Sequence, residues 1–339
     1  MVRLKVNTNK IMQKIKLNSK LFNPDVEQIP IRKGFGQGLL EAGKKDTNIV
    51  ALCCDLSEST YMHLFKEQFP ERFVEIGVAE QNMASVASGM ASIGKKPVIS
   101  SYAMFSPGRN WEQIRTTICY NDRPVVIAGS HAGISVGPDG GTHQALEDIA
   151  ITRVIPNMTV ISPCDAIEAQ KATMEALKLG KPVYIRLSRE KTPIITTEEM
   201  SFEIGKASVI FGSLKSDACI VATGPLVHKA ILSAESLRRE GISVCVVNLH
   251  TIKPLDEKTL IDVAKSCGAV VTLEEHQIFG GMGSAVCELL SVNYPVPVEM
   301  LGIADSFGQS GKPEELLNHY GLNEKSIKSA VRRVIKRKG

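Results

Sequence analysis

The 339-residue sequence has few aromatic side chains, only 5% with a single Trp, and no run of 18 apolar residues. A membrane-spanning helix is therefore not predicted. The net charge of +4 is small, and no basic stretch is interleaved with aromatic residues, so partners among nucleic acids are not indicated either. The length and the 43% of hydrophobic residues are typical of two globular domains.

The eight cysteines include no Cys-x-x-Cys pair and no spacing typical of a metal site. Most of them lie inside apolar runs, as Cys53 does in Ile49–Cys53. We interpret them as small buried side chains in a reducing compartment, which places the protein in the cytoplasm.

The N-terminus is basic, with six Lys or Arg and no acid among the first twenty residues. It lacks the apolar segment of a secretory signal and the Arg- and Ser-rich composition of most transit peptides. We interpret residues 1–30 as a solvated arm that packs on a neighbouring molecule.

From Ile31 onward, apolar strand-like runs alternate with helical patterns of about 10 to 15 residues, which predicts an α/β fold with a doubly wound, mostly parallel sheet. A polar break over residues 196–204 precedes a second βα series. We therefore expect two domains, a larger one over residues 31–195 and a smaller α/β domain over residues 205–339, joined by a linker over residues 196–204. The strands of the first are predicted at 48–54, 73–76, 96–101, 124–129, 158–162 and 182–187, and those of the second at 218–223, 243–248, 269–274 and 296–301.

Polar and aromatic side chains follow the predicted strands of the first domain. Ligands of open α/β sheets bind beyond the carboxyl ends of the strands, so these residues are candidates for one common site. In chain order they are Asp55, Ser57, Ser59, Glu80, Tyr102, Phe105, Arg109, Trp111, His131, Asp139, His143, Ser188 and Arg189.

Glu80 stands between a β-rich run that ends at Gly77 and a helix of small residues. A solvent-exposed acid at the start of a helix is one interpretation, since the helix dipole favours it. The small residues from Ala84 to Ser92 allow close approach of another backbone and favour a subunit interface that would bury Glu80. A buried carboxylate needs a partner or a proton.

Tyr102 and Phe105 flank one strand end, where core aromatics are the simpler interpretation, but their closeness to Trp111 favours stacking of a flat ring. The Gly-rich loop that follows carries His131, Asp139 and His143. These three lack a fourth metal ligand, so we expect hydrogen bonding or proton transfer to hydroxyl groups instead.

Arg32, Ser59 and Arg189 each stand at the edge of an element. Each residue alone is typical of a solvated surface. Together the two guanidinium groups and the serine could hold a phosphate.

Three motifs carry a resemblance to a known family. Gly77–Met83 (GVAEQNM), Asp139–Gln144 (DGGTHQ) and Leu187–Arg189 (LSR) resemble the C-terminal portion of transketolases, in order and spacing, and the likeness runs from about Ile31 to the end of the last domain. The resemblance implies a pyrimidine-binding domain for thiamine diphosphate followed by a C-terminal domain of transketolase type.

The family binds the cofactor's diphosphate through Mg²⁺ on another domain, which carries a Gly-Asp-Gly motif and a downstream Asn. Pro138-Asp139-Gly140 does not reproduce that motif. The resemblance therefore implies one half of a split transketolase, without metal ligands of its own. Its partner is then an N-terminal subunit that holds Mg²⁺, in an α2β2 heterotetramer.

The resemblance also implies roles for the candidate residues. Glu80 matches the glutamate that hydrogen-bonds the aminopyrimidine ring nitrogen, and the cofactor-binding set is Glu80, Tyr102, Phe105 and Asp55. His131 matches a histidine near the C1 hydroxyl and carbonyl of the donor sugar, and we count Glu80, His131 and His143 as catalytic. The substrate-binding set is Arg32, Ser59, His131, Asp139, His143 and Arg189, for transfer of a two-carbon ketol unit from a ketose phosphate to an aldose phosphate.

Ala79-Glu80-Gln81 also resembles 1-deoxy-xylulose-5-phosphate synthase and the β subunit of 2-oxoacid dehydrogenases. The synthase usually carries Arg at the position of His131, so His131 favours transketolase. A non-catalytic interaction subunit with the same fold is the alternative from another class.

Overall fold

The structure is a computed structural model and describes residues 17–338. The strands of this part of the chain form a seven-stranded sheet, a five-stranded sheet and a two-stranded ribbon. In the first half the strands are β1 (Gln28–Pro30), β2 (Ile49–Cys53), β3 (Phe73–Glu75), β4 (Lys96–Tyr102), β5 (Val126–Ser130), β6 (Thr159–Ile161), β7 (Val183–Arg186) and β8 (Lys191–Pro193). The helices are α1 (Ile31–Lys45), α2 (His63–Gln68), α3 (Glu80–Ser92), α4 (Trp111–Gln113, continued as a π-helix over Ile114–Cys119), α5 (Asp148–Arg153) and α6 (Ala166–Leu179).

The second half repeats the alternation on a smaller scale. Its strands are β9 (Ser208–Phe211), β10 (Ala218–Ala222), β11 (Val244–Asn248), β12 (Thr251–Lys253), β13 (Val270–Gln277) and β14 (Val298–Ile303). Its helices are α7 (Leu226–Arg239), α8 (Glu257–Cys267), α9 (Met282–Asn293), α10 (Pro313–His319) and α11 (Glu324–Lys336).

The first sheet has the order β12-β6-β7-β5-β4-β2-β3, and every pairing in it is parallel except that of β12. Successive residues of its strands face opposite sides, so Ala51 and Val98 pack beneath α1 and α6, whereas Leu52 and Ile99 pack beneath α3 and α4. Because both faces are covered, the strands are apolar without alternation. This confirms the doubly wound α/β fold.

The second sheet has the order β14-β13-β10-β11-β9, with β9 antiparallel at one edge. Strand β12 leaves this half of the chain and joins the first sheet, where Thr251 pairs with Ile161 of β6. Because a strand from the second half of the sequence belongs to the first sheet, the sheet topology does not by itself divide the chain at residues 196–204. That linker stays a prediction.

Helices α1 and α6 pack closely because glycine lines the contact. A Cβ on Gly34 would lie 1.9 Å from the carbonyl oxygen of Ala166, and one on Gly38 would lie 2.6 Å from that of Gln170. These two positions therefore exclude any larger side chain.

A buried polar network joins the two halves. Nε of Arg186 and the hydroxyl of Tyr184 donate to Oδ2 of Asp148 at 2.8 and 2.7 Å, and Nη2 of Arg186 donates to the carbonyl of Glu275 on β13. Both charged side chains are almost fully buried, at 3% and 1% exposure. A pair this deep stabilises the fold only as long as both partners are present.

The pattern of residues 143–152 predicts a helix, which needs correction. Residues 143–147 are not helical, and α5 begins only at Asp148, because the Gln144 side chain donates to the carbonyls of Ile134 and Gln309 and holds this stretch as a loop. Residues 1–16 of the predicted arm lie outside the described residues. The rest of the arm contacts its own chain, since Asn18 donates to the carbonyl of Ile195 and β1 pairs with β8.

The cysteines agree with their interpretation as small core residues. All eight are free thiols, and all except the half-buried Cys287 are buried. Within residues 17–338, no helix combines the length and the apolar character that crossing a membrane requires.

Candidate active site

The candidate residues gather at one edge of the first sheet. Strands β2, β3, β4, β5 and β7 are parallel, so their carboxyl ends share this edge. Tyr102 is the last residue of β4, and Asp55, Glu80, His131 and Arg189 follow the ends of the other four strands within a few residues. The edge therefore brings together side chains from most of the first half of the chain.

Glu80 is the first residue of α3 and is only 1% exposed. Ser101 donates to its Oε1 at 3.1 Å, and Arg109 donates to its Oε2 at 2.6 Å. Asn110 donates to its main-chain carbonyl at 3.0 Å. The carboxylate is thus buried within its own chain, whereas the sequence predicts burial by another subunit.

Arg109 reaches this carboxylate from the solvent side. Its side chain is 44% exposed, and its guanidinium lies 4.6 Å from the ring centroid of Phe105. Next to it, Oδ1 of the buried Asn110 has no hydrogen-bond partner. A buried amide oxygen without a partner is costly and is often found at functional sites.

Ser101 and Asn110 are not among the residues predicted from the sequence. Ser101 lies within β4 beside Tyr102, and Asn110 follows Arg109 in the loop after that strand. Position at or just after the end of a strand is the signal that would have included both. Their side chains were too ordinary to stand out without the structure.

Tyr102, Phe105, His131 and His143 form an aromatic group. The rings of Tyr102 and His131 stack with centroids 3.9 Å apart, and Tyr102 and Phe105 are nearly parallel at 6.1 Å. His143 meets the edges of Tyr102 and Phe105 at 6.2 and 5.5 Å. Since Arg109 lies over Phe105, the group borders Glu80 and offers flat apolar surface beside a carboxylate.

His131 is held in an unusual conformation. It directly follows β5 with a positive φ of 56°, which is uncommon outside glycine, and its Nδ1 is 2.9 Å from the Ser130 hydroxyl. Burial lowers its pKa, and the charges of Arg32, Arg189 and His143 add to this effect, so that the pKa falls from 6.5 to about 3. His131 is therefore neutral at physiological pH, with one ring nitrogen free of the Ser130 contact.

The predicted phosphate-binding residues also meet. Arg32 donates to the carbonyl of Ser59 at 2.5 Å and to that of Arg189 at 3.1 Å. Arg189 donates to the carbonyl of Val136 and lies 3.7 Å from Asp139. Burial lowers the pKa of Arg32, but a guanidinium stays charged across the physiological range. Two cations therefore stand side by side, with mostly neutral oxygens as partners.

Asp55 and His143 lie nearer to solvent. Asp55 is exposed, has a positive φ of 56°, and its main-chain N–H donates to Glu75 at 2.8 Å. No hydrogen bond or ion pair joins the Asp55 side chain to Glu80 or to the aromatic group, so the structure does not show a shared role for them. Nδ1 of His143 is 3.0 Å from the hydroxyl of Thr142. Across residues 17–338, no three His, Cys, Asp or Glu side chains are close enough together to hold a metal ion.

Comparison with known families covers both halves of the chain. Residues 27–194 match the transketolase pyrimidine binding domain, and residues 205–327 match the transketolase C-terminal domain. The chain belongs to the transketolase family. This confirms the resemblance, and it identifies the sheet edge around Glu80 as part of a pyrimidine-binding domain.

The relatives include proteins of the same length. The chain is 44% identical over 310 residues to the "Putative transketolase C-terminal section" of Methanocaldococcus jannaschii, a match that covers 91% of this chain and 96% of that protein. It is 39% identical over 317 residues to the 6-deoxy-6-sulfo-D-fructose transketolase subunit SqwH of a Clostridium species, covering 94% and 98% of the two chains. Both relatives are separate polypeptides that correspond to the C-terminal section of a transketolase or to one of its subunits.

A solved structure agrees with the fold over nearly the whole chain. It is described as a split gene transketolase, an inactive β4 tetramer, and it superimposes with a TM-score of 0.86 at 42% identity, covering 92% of this chain and all of that one. The chain therefore corresponds to the C-terminal section of a split transketolase.

Proposed function

We propose that the chain is the C-terminal subunit of a two-chain transketolase, which transfers a two-carbon ketol unit from a ketose phosphate to an aldose phosphate. The observation that carries the proposal is the buried Glu80 carboxylate beside stacked aromatic rings, with two arginines close by. The carboxylate and the flat apolar surface suit an activated cofactor ring. The cationic pocket suits the phosphate of a sugar substrate.

Thiamine diphosphate is the cofactor that the pyrimidine-binding domain implies, and the residues present fit it. The Glu80 carboxylate offers an acceptor for a protonated ring nitrogen, and the unpartnered Oδ1 of Asn110 adds an acceptor near the same place. When bound, the cofactor supplies a nucleophilic carbon that carries the two-carbon unit between the sugars.

The residues of this chain act on that cofactor from one side. We assign to Glu80 the holding of a proton at the aminopyrimidine ring nitrogen, with Ser101 fixing the orientation of Oε1. Tyr102 and Phe105 pack against the flat ring and exclude water from it. Asp55 belongs to the same proposed set, at the outer rim of the edge.

Other residues act on the sugars. A neutral His131 both donates and accepts hydrogen bonds, so it suits the hydroxyl and carbonyl groups near the reacting end of the donor. His143 and Asp139 contact further hydroxyls in this proposal. Arg32, Ser59 and Arg189 bind the phosphate at the far end, where hydrogen bonds to main-chain carbonyls already position both guanidinium groups.

The partner is an N-terminal transketolase subunit that binds Mg²⁺ and the diphosphate, in an α2β2 heterotetramer of the cytoplasm. Helix α3 provides the surface for it, because its outer side carries small or polar exposed residues. Outside α3 itself, nothing lies within 4 Å of a Cβ on Gly89, and such a small residue permits close packing of a second backbone. Val78 and Ile93, beside the two ends of α3, add apolar surface, since they are 71% and 78% exposed.

The experiment is reconstitution. The chain is co-expressed with a partner that carries the Gly-Asp-Gly motif and a downstream Asn. The complex is then assayed with xylulose-5-phosphate and ribose-5-phosphate in the presence of thiamine diphosphate and Mg²⁺. Glu80→Gln should lower kcat at least about 100-fold, as removal of a group that controls proton transfer does. The matched control is Glu67→Gln on the exposed face of α2, and unchanged turnover in Glu80→Gln would refute the proposal.

A second measurement tests where the diphosphate binds. Thiamine diphosphate with Mg²⁺ should leave the melting temperature of the chain alone unchanged and should raise that of the complex. A rise of several degrees for the chain alone would place the diphosphate site here and contradict the division between two subunits.

Identifying the donor and the acceptor requires assays with a panel of sugar phosphates, because relatives at this level of identity are named for different substrates. Transfer between common pentose phosphates would assign the chain to the pentose phosphate pathway. A complex that instead requires a lipoyl carrier would favour the 2-oxoacid dehydrogenase alternative. A complex that assembles without any turnover would favour the interaction subunit.

A further inference from the structure

A cavity of about 280 Å³ lies between the two halves of the chain, and of the candidate residues at the sheet edge it is lined by Ser188 alone. Its walls come from the β1–β8 ribbon, the first turns of α7, and α10. Glu275 of β13 and Ser188 also line it. Its volume is close to the lower limit for sites of small organic ligands.

Two polar side chains of this cavity are buried and incompletely bonded. Glu275 is 1% exposed, and its Oε1 accepts from the main-chain N–H of Ser135 at 2.5 Å, but its Oε2 has no partner. Ser188 is 5% exposed, and its Oγ has no partner either. A buried carboxylate oxygen without a donor is costly, so Oε2 of Glu275 indicates a missing donor. The Ser188 hydroxyl can both donate and accept, and it offers a second hydrogen-bonding group on the same cavity.

The charges around the cavity indicate which kind of donor would suit Glu275. Burial raises the pKa of the Glu275 carboxyl, while Arg186, Ser135 and Lys229 act in the opposite direction. Lys229 stands at the rim and is already paired with Glu314 at 2.9 Å, so it does not supply the donor. An additional positive group inside the cavity would favour the charged carboxylate.

The structure argues against a metal ion in this cavity. Among residues 17–338, no three His, Cys, Asp or Glu side chains are close enough together to hold one, and Ca²⁺ or Mg²⁺ needs about six oxygen ligands. The rest of the wall is mixed. Polar residues such as Gln28 and Thr192 line it together with an apolar part formed by Pro193, Pro225, Leu226, Leu232, Pro313 and Leu317. An ammonium group with an aliphatic body satisfies both parts of the wall.

We propose that this cavity binds a small organic ammonium ion, whose N–H groups donate to Oε2 of Glu275 and to Oγ of Ser188. The aliphatic body of the ligand packs against Leu226 and Leu317. The ligand is either a free amine or an amino acid, since both carry the same ammonium group.

The test titrates the full chain with isobutylammonium chloride by calorimetry at pH 7.5, in buffers whose ionic strength is matched with NaCl. We expect saturable binding to one site with a Kd in the millimolar range, as for a ligand of a few heavy atoms. Isobutanol has the same shape without the charge and should bind at least ten-fold more weakly. L-valine binding as tightly as isobutylammonium would indicate an amino acid as the natural ligand, and weaker binding would indicate a free amine.

Two variants test the groups that the proposal names, the Glu275 carboxylate and the Ser188 hydroxyl. Glu275→Gln preserves shape and should weaken isobutylammonium at least ten-fold, and Ser188→Ala should weaken it about three-fold. Glu67→Gln, which removes a carboxylate from the exposed face of α2, should bind like the unchanged chain. Ser188→Ala carries the test if Glu275→Gln does not fold. Equal binding of isobutanol, absence of saturation, or unaltered affinity in both cavity variants would overturn the proposal.

Discussion

Arg109 donates a 2.6 Å hydrogen bond to Oε2 of Glu80, although the two residues are 29 positions apart in the sequence. The carboxylate is buried, whereas the guanidinium is 44% exposed and lies on the ring of Phe105. Solvent therefore reaches the cation but not the anion. This asymmetry makes Arg109 the counterion on which the buried charge of Glu80 depends.

Arg109→Met should destabilise the chain, because it leaves Glu80 with only the Ser101 hydroxyl on its carboxylate. We expect a loss of about 1–3 kcal/mol in the free energy of unfolding, the usual cost of leaving a buried charged group without a partner. Urea denaturation at pH 7.5 measures it. Lys44→Met removes a cation from the exposed pair with Glu41 and should cost less than about 0.5 kcal/mol. Equal losses in the two variants would contradict the dependence of Glu80 on Arg109.

His131 should stay neutral down to acidic pH, because its pKa of about 3 lies well below the 6.5 of an unfolded chain. Below pH 6.5 the unfolded state binds a proton that the folded state does not, so this histidine lowers stability as pH falls. Between pH 6.5 and pH 5 the effect amounts to about 2 kcal/mol, at 1.36 kcal/mol per pH unit.

His131→Gln removes this contribution, so its stability should fall less than that of the unchanged chain between pH 7.5 and pH 5. The difference between the two profiles is the relevant quantity, because the buried carboxyls of Glu168 and Glu274, with pKa values raised to about 7, act in the opposite direction. The exposed His319→Gln serves as control. Parallel profiles for His131→Gln and the unchanged chain, or an NMR titration of the His131 ring near pH 6.5, would refute the prediction.

Gly89→Arg should leave the fold of the chain unchanged and prevent its assembly with the N-terminal subunit. Apart from its chain neighbours and the backbone of α3 itself, nothing lies within 4 Å of a Cβ at this position, so the free chain has room for the side chain. At an interface the same side chain would separate the two surfaces. Size-exclusion chromatography with light scattering should show at least a ten-fold loss of complex.

Two variants control for this experiment. Gly89→Ala adds only a methyl group to the same helix position, and Ser291→Arg adds the same cation to the exposed face of α9. Both should assemble normally. Full assembly of Gly89→Arg would mean that the outer face of α3 is not the contact with the partner.

Arg186→Met should be among the most destabilising single changes in the first sheet. It leaves the Asp148 carboxylate charged and 1% exposed, with Tyr184 as its remaining donor, and breaks the contact with β13. Removal of one partner of a buried ion pair costs about 3–5 kcal/mol. Arg238→Met, in an exposed pair with Glu235, should cost far less in the same urea titration, because solvent screens that pair. A similar small loss in Arg186→Met would show that the network contributes little.

Much of the fold follows from local patterns in the sequence. Apolar runs such as Ile49–Cys53 and Val126–Ser130 identify strands covered on both faces, and their ends identify the edge where Glu80, Tyr102, His131 and Arg189 meet. Short or unusual elements such as β9, β12 and α10 carry no comparable periodicity. Strand β12 in particular takes its partner from the other half of the chain, a pairing that no local pattern indicates.

The sequence by itself determined the α/β class, the candidate residues at the strand ends and the family. These depend on periodicity, on the direction of parallel strands and on short motifs, all of which are local properties. Only the tertiary structure decided that Ser101 and Arg109 hold the Glu80 carboxylate, that the chain itself buries it, and that Glu275 and Ser188 share a cavity. The reason is physical, because such contacts join residues far apart along the chain, and packing of whole elements sets their distances.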